Sequence, residues 1–377
     1  MNDHAPVGGK ILTKPFMVLT LLFMIAMAIL LARLVMGIGP VTHLNDGYPW
    51  GIWIVIDVMI GTAFGCAGYA LALLVYLLNK GEYHPLVRPA MMAGLFGYGL
   101  AGLAVMIDLG RYWNFWALLW PGYMQFNSVM LEVALCVMAY IMVLAIEFSP
   151  AFLERFGLKN IHKKLNKVLF FFIAVGILLP TMHQSSLGTL AVVAGHQISA
   201  LWQTQLLPPL FLISALLMGY AIVPFESILS SKGLVRPMET PLLAKISRVA
   251  WIVALVYLAI RVADLTYRGA WGLAFTANLD ALMFWIEMLL FIIPVVILSS
   301  KANCIHPRMI FISAISFLLA GSVYRLNIYI VGYHPTAGGS WSYFPSVTEM
   351  LLTLGIFSLE VMLYLIFVKK LPVLHRA

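Results

Sequence analysis

The chain alternates long apolar stretches with short polar ones. Ten apolar stretches run over about 16–36, 50–78, 89–108, 125–148, 167–187, 206–230, 246–267, 280–300, 308–331 and 347–368. At ~1.5 Å per residue, about 20 helical residues cross the ~30 Å of bilayer hydrocarbon. The stretches are continuously apolar and lack the residue-by-residue alternation of a membrane barrel. Only helices and closed barrels satisfy their backbone hydrogen bonds in lipid. The pattern therefore predicts an all-α polytopic membrane protein with about ten transmembrane helices. The first stretch is too long for the apolar core of a secretory signal, and no small-residue cleavage site follows it. It reads as a span.

The connections alternate in charge. The two termini and the segments near 79–89, 149–167, 231–248 and 301–308 hold 18 of the 23 Lys and Arg residues. The other five connections hold only Arg111 and Arg268, and Arg33, Arg261 and Arg325 lie within spans. The positive-inside rule then makes both termini cytoplasmic. Composition agrees: 62% of residues are hydrophobic and 10% charged, with a mean hydropathy of +0.96. The net charge of +8 comes from these loops. They read as topology signals and contacts to anionic membrane lipids, not as nucleic-acid sites. The opposite connections are aromatic: Tyr48-Pro49-Trp50-Gly51-Ile52-Trp53, Tyr112-Trp113-Asn114-Phe115-Trp116, and Tyr333 through Pro345. They suit an interfacial belt or a dock for an extramembrane partner. Three scattered cysteines, Cys66, Cys136 and Cys304, give neither a disulfide framework nor an iron–sulfur site.

Nine of the fifteen acids interrupt or end apolar stretches: Asp57, Asp108, Glu132, Glu147, Glu226, Asp264, Glu287, Glu349 and Glu360. A carboxylate in hydrocarbon costs several kcal/mol, so such residues face an interior or a water-filled cavity and often mark a proton or ion route. By helix rise, the polar residues crowd the outer half of the bilayer, and a sparser set leads inward. Arg261, Asp264, Glu287 and Arg325 can neutralise one another as structural ion pairs. Asp57 and Glu132 have no cation near them in their own helices. Asp57 shares a stripe with Gly61, Gly65, Gly68 and Ala72, and Asp108 with Gly94, Gly97, Ala101 and Ala104. Such stripes let membrane helices pack closely and turn the acids inward. Glu132 is expected about 10 Å inside its helix, with Glu147 some 22 Å away on a nearby face. His183 follows Pro180 and is the one histidine well placed in a span. A haem b between helices uses a pair of histidines, so no haem is expected, and no metal-ligand spacing is present. A weak internal repeat relates Asp108…Arg111…Glu132 to Asp264…Arg268…Glu287.

Several longer motifs carry a resemblance. Gly8-Gly9-Lys10-Ile11 with Lys14-Pro15, Leu44 to Gly51, Tyr83 to Ala90, Asp108-Leu109-Gly110-Arg111-Tyr112-Trp113-Asn114, Leu165-Asn166-Lys167-Val168, Leu179 to Ser186 and Tyr343-Phe344-Pro345 together resemble the NrfD/PsrC-like family. These are the integral membrane subunits of polysulfide and nitrite reductases, and the motifs are most similar to the branch that serves four-subunit nickel–iron uptake hydrogenases. The resemblance implies two four-helix bundles, over 50–187 and 206–331, with extra helices in 1–36 and 347–377. It also implies an inner-membrane subunit with a quinone site in the outer half of the bilayer, beneath a periplasmic ferredoxin-like iron–sulfur subunit. Iron–sulfur clusters and the nickel–iron centre would then lie only in partner subunits, among them the nickel–iron hydrogenase small and large subunits.

On this footing the chain is expected to pass electrons to a quinone, menaquinone in this reading, with coupled proton uptake and a possible proton translocation. Trp53, Asp57, Asp108, Arg111, Tyr112, His183 and Gln184 are the candidate quinone pocket. Glu132 is the preferred proton donor with Asp57 beside it, and Glu132, Glu147 and Glu226 are the candidate proton path. An anchor for another periplasmic molybdopterin or cytochrome oxidoreductase of the same family would look alike. An ion-coupled secondary transporter would also need buried carboxylates, though it favours a midplane site between broken helices.

Overall fold

The computed structural model describes residues 4–335 and 341–375; the middle of the last aromatic connection, 336–340, lies outside them. Ten helices are long and apolar enough to cross a membrane: α1 Lys14–Met36, α2 Ile54–Leu77, α3 Gly81–Asp108, α4 Val129–Arg155, α5 Lys159–Gln197, α6 Leu207–Gly233, α7 Thr240–Tyr267, α8 Leu279–Ser299, α9 Pro307–Val331 and α10 Val347–Lys370. The protein is thus an integral membrane protein with many spans. An even number of spans brings both chain ends to one face. There His4–Ala5 (β1) pairs antiparallel with Leu374–His375 (β2), with His4 opposite His375. Below, this is the terminal face and the other is the far face.

α2 sits at the centre and is the most buried span. Its glycines explain how. A Cβ on Gly94 of α3 would lie 2.8 Å from the Gly65 carbonyl oxygen, and one on Gly219 of α6 would lie 2.7 Å from that of Cys66. Backbone meets backbone there, the usual role of small residues between membrane helices. α2 is also irregular, with π-helical stretches at Ile54–Ile60 and Leu73–Leu77 around short α-helical pieces. Such widened turns recur at functional sites, and the first contains Asp57.

In the first half α2 packs on α3, α3 on α4 and α4 on α5; in the second, α6 packs on α7 and α9, and α8 on both of those. The halves meet through α5 against α6 and through α2 against α6 and α9. α1 lies chiefly against α10, which also touches α3. A large buried apolar cluster runs from α2 through α6 to α9.

One boundary differs from the sequence expectation in a way that matters. α4 begins at Val129, because the Ser128 side chain caps it by accepting from the Leu131 N–H at 3.4 Å. Residues 125–128 are turn, so Glu132 stands in the first helical turn.

Candidate functional site

At the far face the structure joins α1, α2, α3 and α10 through two polar residues separated widely in sequence. Arg33, in the last turn of α1, is 1% exposed. Its Nε donates to the Ile107 carbonyl at 2.6 Å, and its Nη2 donates to that of Leu109. These carbonyls end α3 and lack helical partners, so a cation there complements the helix terminus. The same guanidinium lies 5.3 Å from the centre of the Tyr112 ring. Asp108 is between the two carbonyl-bearing residues. Its Oδ1 is buried without a hydrogen-bond partner, and Arg33 and Glu349 lie within electrostatic reach.

Glu349 is fully buried and fully used. Its carboxylate accepts from the backbone N–H of Ser346 at 2.7 Å and of His43 at 3.0 Å, and from the Tyr343 hydroxyl at 2.7 Å. With Ser346 it forms the capping box of α10. Burial pushes the Tyr343 hydroxyl above its ordinary range, and Glu349 beside it pushes the same way; Tyr343 therefore remains a donor. It also accepts from the Ile52 N–H at 2.7 Å. Trp53, 1% exposed, donates its indole N–H to the Glu349 carbonyl at 3.1 Å. The start of α2 is thereby fastened to the start of α10.

A second polar group lies deeper, between the halves. Thr62 donates to the Val58 carbonyl at 2.5 Å. With its one proton committed, its oxygen can only accept from Gln184 Nε2 at 3.0 Å and from His183 Nε2 at 3.3 Å. That arrangement leaves His183 Nδ1 as a buried acceptor with no partner. The His183 ring also meets Tyr98 edge-on at 5.6 Å. Gln184 Oε1 accepts from Arg325 Nη2 at 3.3 Å, and Arg325 Nη1 donates to Ser214 at 3.2 Å. Asp57 is buried in the widened turn one helical turn earlier than Thr62, with Oδ2 unpartnered.

The expected quinone pocket is therefore split. Asp108 and Tyr112 gather around Arg33, with Trp53 held nearby by Glu349. His183 and Gln184 belong to the deeper group. Arg111 is exposed and joins neither.

The expected network of Arg261, Asp264, Glu287 and Arg325 is also corrected. Arg261 faces Glu287 at 3.8 Å with both side chains fully buried. Asp264 instead pairs with Arg268, one turn further on at the helix end, at 2.7 Å, and accepts from Thr204 at 2.6 Å. Arg325 has no carboxylate partner among the described residues; neutral oxygens surround it, as above. Glu287 accepts from Trp202 at 2.7 Å and Asn327 at 2.8 Å.

The proton-path residues do not share one route. Glu132 is exposed at the beginning of α4 and accepts from Ser186 at 2.8 Å; the late helix start moves it to the rim. Glu147 presses on Gly176 of α5, where a Cβ would lie 2.7 Å from its Oε1. Glu226 lies in a cleft at the terminal face with Tyr364, Ser230 and Arg236. Sequence reasoning missed the roles of Arg33, Tyr343, Thr62 and Tyr98. Arg33 carried a signal, being the only charge in the first apolar stretch; the others did not.

The connection after α3 presents an aromatic surface at the far face. Trp113, Phe115, Trp116, Trp120, Tyr123 and Phe126 are all about half exposed or more.

Residues 40–337 match the family model described as polysulphide reductase, NrfD. A relative from Escherichia coli strain K12, named probable Ni/Fe-hydrogenase 2 b-type cytochrome subunit (HybB), is 45% identical over 99% of this chain and 95% of its own length. The menaquinone reductase integral membrane subunit of Nitratidesulfovibrio vulgaris is 32% identical over 40% of this chain and 37% of its own. A selenate reductase subunit of Mesobacillus selenatarsenatis is 25% identical over 56% of this chain and 55% of its own. These likenesses support a membrane anchor in an oxidoreductase complex of this family.

The name of the E. coli relative, a b-type cytochrome subunit, overturns the expectation that haem is foreign to such a chain. His183, with Nδ1 free, is the residue able to offer an axial nitrogen. The other eight histidines lie in connections, in the terminal strands or in the end turns of helices. The residues present do not form a two-histidine haem site. With most of its length matching the family model and close likeness to a relative over nearly the whole chain, the protein belongs to the NrfD family of integral membrane subunits.

Proposed function

We propose that this chain is the quinone-reactive membrane anchor of a nickel–iron hydrogenase. In this reading the basic terminal face is cytoplasmic, the membrane is the bacterial inner membrane, and the far face is periplasmic. A ferredoxin-like iron–sulfur protein sits over the aromatic far face and brings electrons from the hydrogenase small and large subunits. The helices of 50–187 and 206–331 act as two bundles, with α1 and α10 as the extra pair.

The observation that carries the proposal is Asp108, whose buried Oδ1 has no protein partner although Arg33 and Tyr112 stand beside it. A buried polar atom with no partner costs ~1–3 kcal/mol, and a quinone oxygen is a fitting partner for the group. Arg33 is fixed by two carbonyls and stabilises negative charge on the reduced ring oxygen. The Tyr112 hydroxyl can donate to the same end. Asp108 in its protonated form supplies a proton. Each quinone takes two electrons from the iron–sulfur partner and two protons, and leaves as quinol. The relative named as a menaquinone reductase subunit supports menaquinone as the quinone. Trp53 walls the site, while Asp57 and His183 lie on its inner side and handle the second proton, with Gln184 fixed beside His183 by Thr62 and Arg325. Glu132 at the rim exchanges protons with the periplasmic side.

The test is hydrogen-dependent menaquinone reduction by the purified complex carrying Asp108→Asn. The expected result is a fall of about 100-fold, with all subunits retained and hydrogen-dependent dye reduction unchanged. Menaquinone reduction equal to the parent would place the site elsewhere. The likeness to a selenate reductase subunit favours a second reading, an anchor for another periplasmic oxidoreductase; the proteins that copurify with the chain distinguish the two.

A further inference from the structure

Glu360 has no task in the function just proposed, although it sits deep within α10. No cation pairs with it among the described residues. A carboxylate so placed is costly unless it serves an interior route. On the same face of α10, one turn toward the terminal face, stands Tyr364. Its hydroxyl is buried and faces the carboxylate of Glu226 on α6, whose Oε1 is buried too. Both line a cleft of about 50 Å³ at the terminal face, together with Ser227, Ser230 and Arg236. A water needs ~10–15 Å³ of such space, so the cleft has room for a few waters beside Glu226 and Tyr364.

Toward the far face, Glu360 is within electrostatic reach of Asp57, as it is of Glu226. Asp57 is itself 6% exposed and its Oδ2 is unpartnered. The vertical spacing follows from the Trp53–Glu349 hydrogen bond, which puts those two residues at one level. Asp57 is four residues beyond Trp53, and Glu360 eleven beyond Glu349. At ~1.5 Å per residue the two acids differ by roughly 10 Å in depth, with Glu360 on the terminal-face side. Glu360 thus stands between Glu226 at the cleft and Asp57, in electrostatic reach of both.

We propose that Glu360 is a proton relay between the terminal-face cleft and Asp57. A proton enters from water at the cleft, passes by Glu226 and Tyr364 to Glu360, and then to Asp57. Asp57 gives it to the reduced quinone oxygen and is reprotonated from Glu360. The electrons come from the iron–sulfur partner, so charge and protons balance at two of each per quinol. This inference rests on the quinone function proposed for the chain and assigns the source of the proton delivered through Asp57 to the terminal face, along α10.

The experiment uses the whole complex in liposomes with menaquinone, hydrogen as donor, and pH dyes inside and outside vesicles of known orientation. In the parent complex, protons are taken up from the terminal face. In Glu360→Gln, that uptake and quinone reduction both fall by about 100-fold, while dye reduction and the set of bound partners stay as in the parent and Glu360→Asp recovers part of the rate. A protonated-carboxyl band in the redox infrared difference spectrum disappears in the Gln variant. Parent-like terminal-face uptake in Glu360→Gln overturns the relay. Uptake by the parent from the far face alone also overturns it, yet leaves the quinone function standing. Absence of any quinone reduction by the parent sinks the function itself. Should Glu360→Gln fail to assemble, Glu226→Gln decides in its place: lost uptake supports the relay, and retained uptake overturns it.

Discussion

Asp108 and Asp264 end their helices on the same face, each followed by a basic residue three or four positions on, yet their surroundings differ. Asp264 is saturated. Arg268 grips it at 2.7 Å and Thr204 donates to it at 2.6 Å. Asp108 makes no ion pair with the exposed Arg111 and keeps a buried oxygen free beside a cation that arrives from α1. The second acid of each half diverges in the opposite sense. Glu287 is buried and bonded to Trp202 and Asn327, whereas Glu132 is exposed with Ser186 alone. In the second half this pair of acids holds helices together. In the first half the corresponding pair leaves one acid open for chemistry and one at the rim.

This contrast can be broken by substitution. The largest effect belongs to Glu287. Removing one member of a buried ion pair costs ~3–5 kcal/mol, so Glu287→Ala should sharply lower the midpoint of thermal unfolding in detergent. Replacing Arg261 and Glu287 together by leucine should cost much less, and an equal loss in both would show that the pair contributes nothing special. Next is Asp264→Asn, expected to cost ~1–3 kcal/mol while leaving the KM for quinone at the parent value. Asp108→Asn should do the reverse, and a similar unfolding loss in both would erase the distinction. Arg268→Ala should cost ~1 kcal/mol, against less than about 0.5 kcal/mol for the exposed Arg111→Ala; denaturation curves of the two, run side by side, measure the gap. The smallest effect is that of Glu132→Gln on stability, within about 0.5 kcal/mol. A large shift in its unfolding midpoint would mean that the rim acid supports the fold.

Much of the fold was legible because a span needs a long apolar stretch, and such stretches are local. Helix starts were less so. Ser128 moved the start of α4 by a few residues and carried Glu132 from an interior depth to the rim. The π-helical turns of α2 were not legible: they flank the segment whose glycines let α3 approach closely, and no residue pattern within them marks the widening. The chemistry of single residues could be read, and their partners could not. Asp108 stood out as an acid at the end of an apolar helix. Nothing near it in sequence indicated that Arg33 would face it, or that Glu349 would be consumed by capping and by Tyr343. Arg325 was expected among carboxylates because opposite charges pair most simply. The packing of α6 against α9 instead gave it Ser214, Gln184 and carbonyl oxygens.

The docking of α1 against α10 has a consequence for synthesis. α1 ends at Met36 and its neighbour begins at Val347. Translation at ~5–20 residues per second separates the two by roughly 15–60 s. During that interval the first span to enter the membrane has lipid where α10 will later stand, and Arg33 waits for the end of α3. A ribosome that stops before the last span leaves this seam open and β1 without β2. Closure of the seam therefore reports that the chain was translated to its last helix, and a membrane protease that senses unpaired spans could use it to tell finished copies from truncated ones.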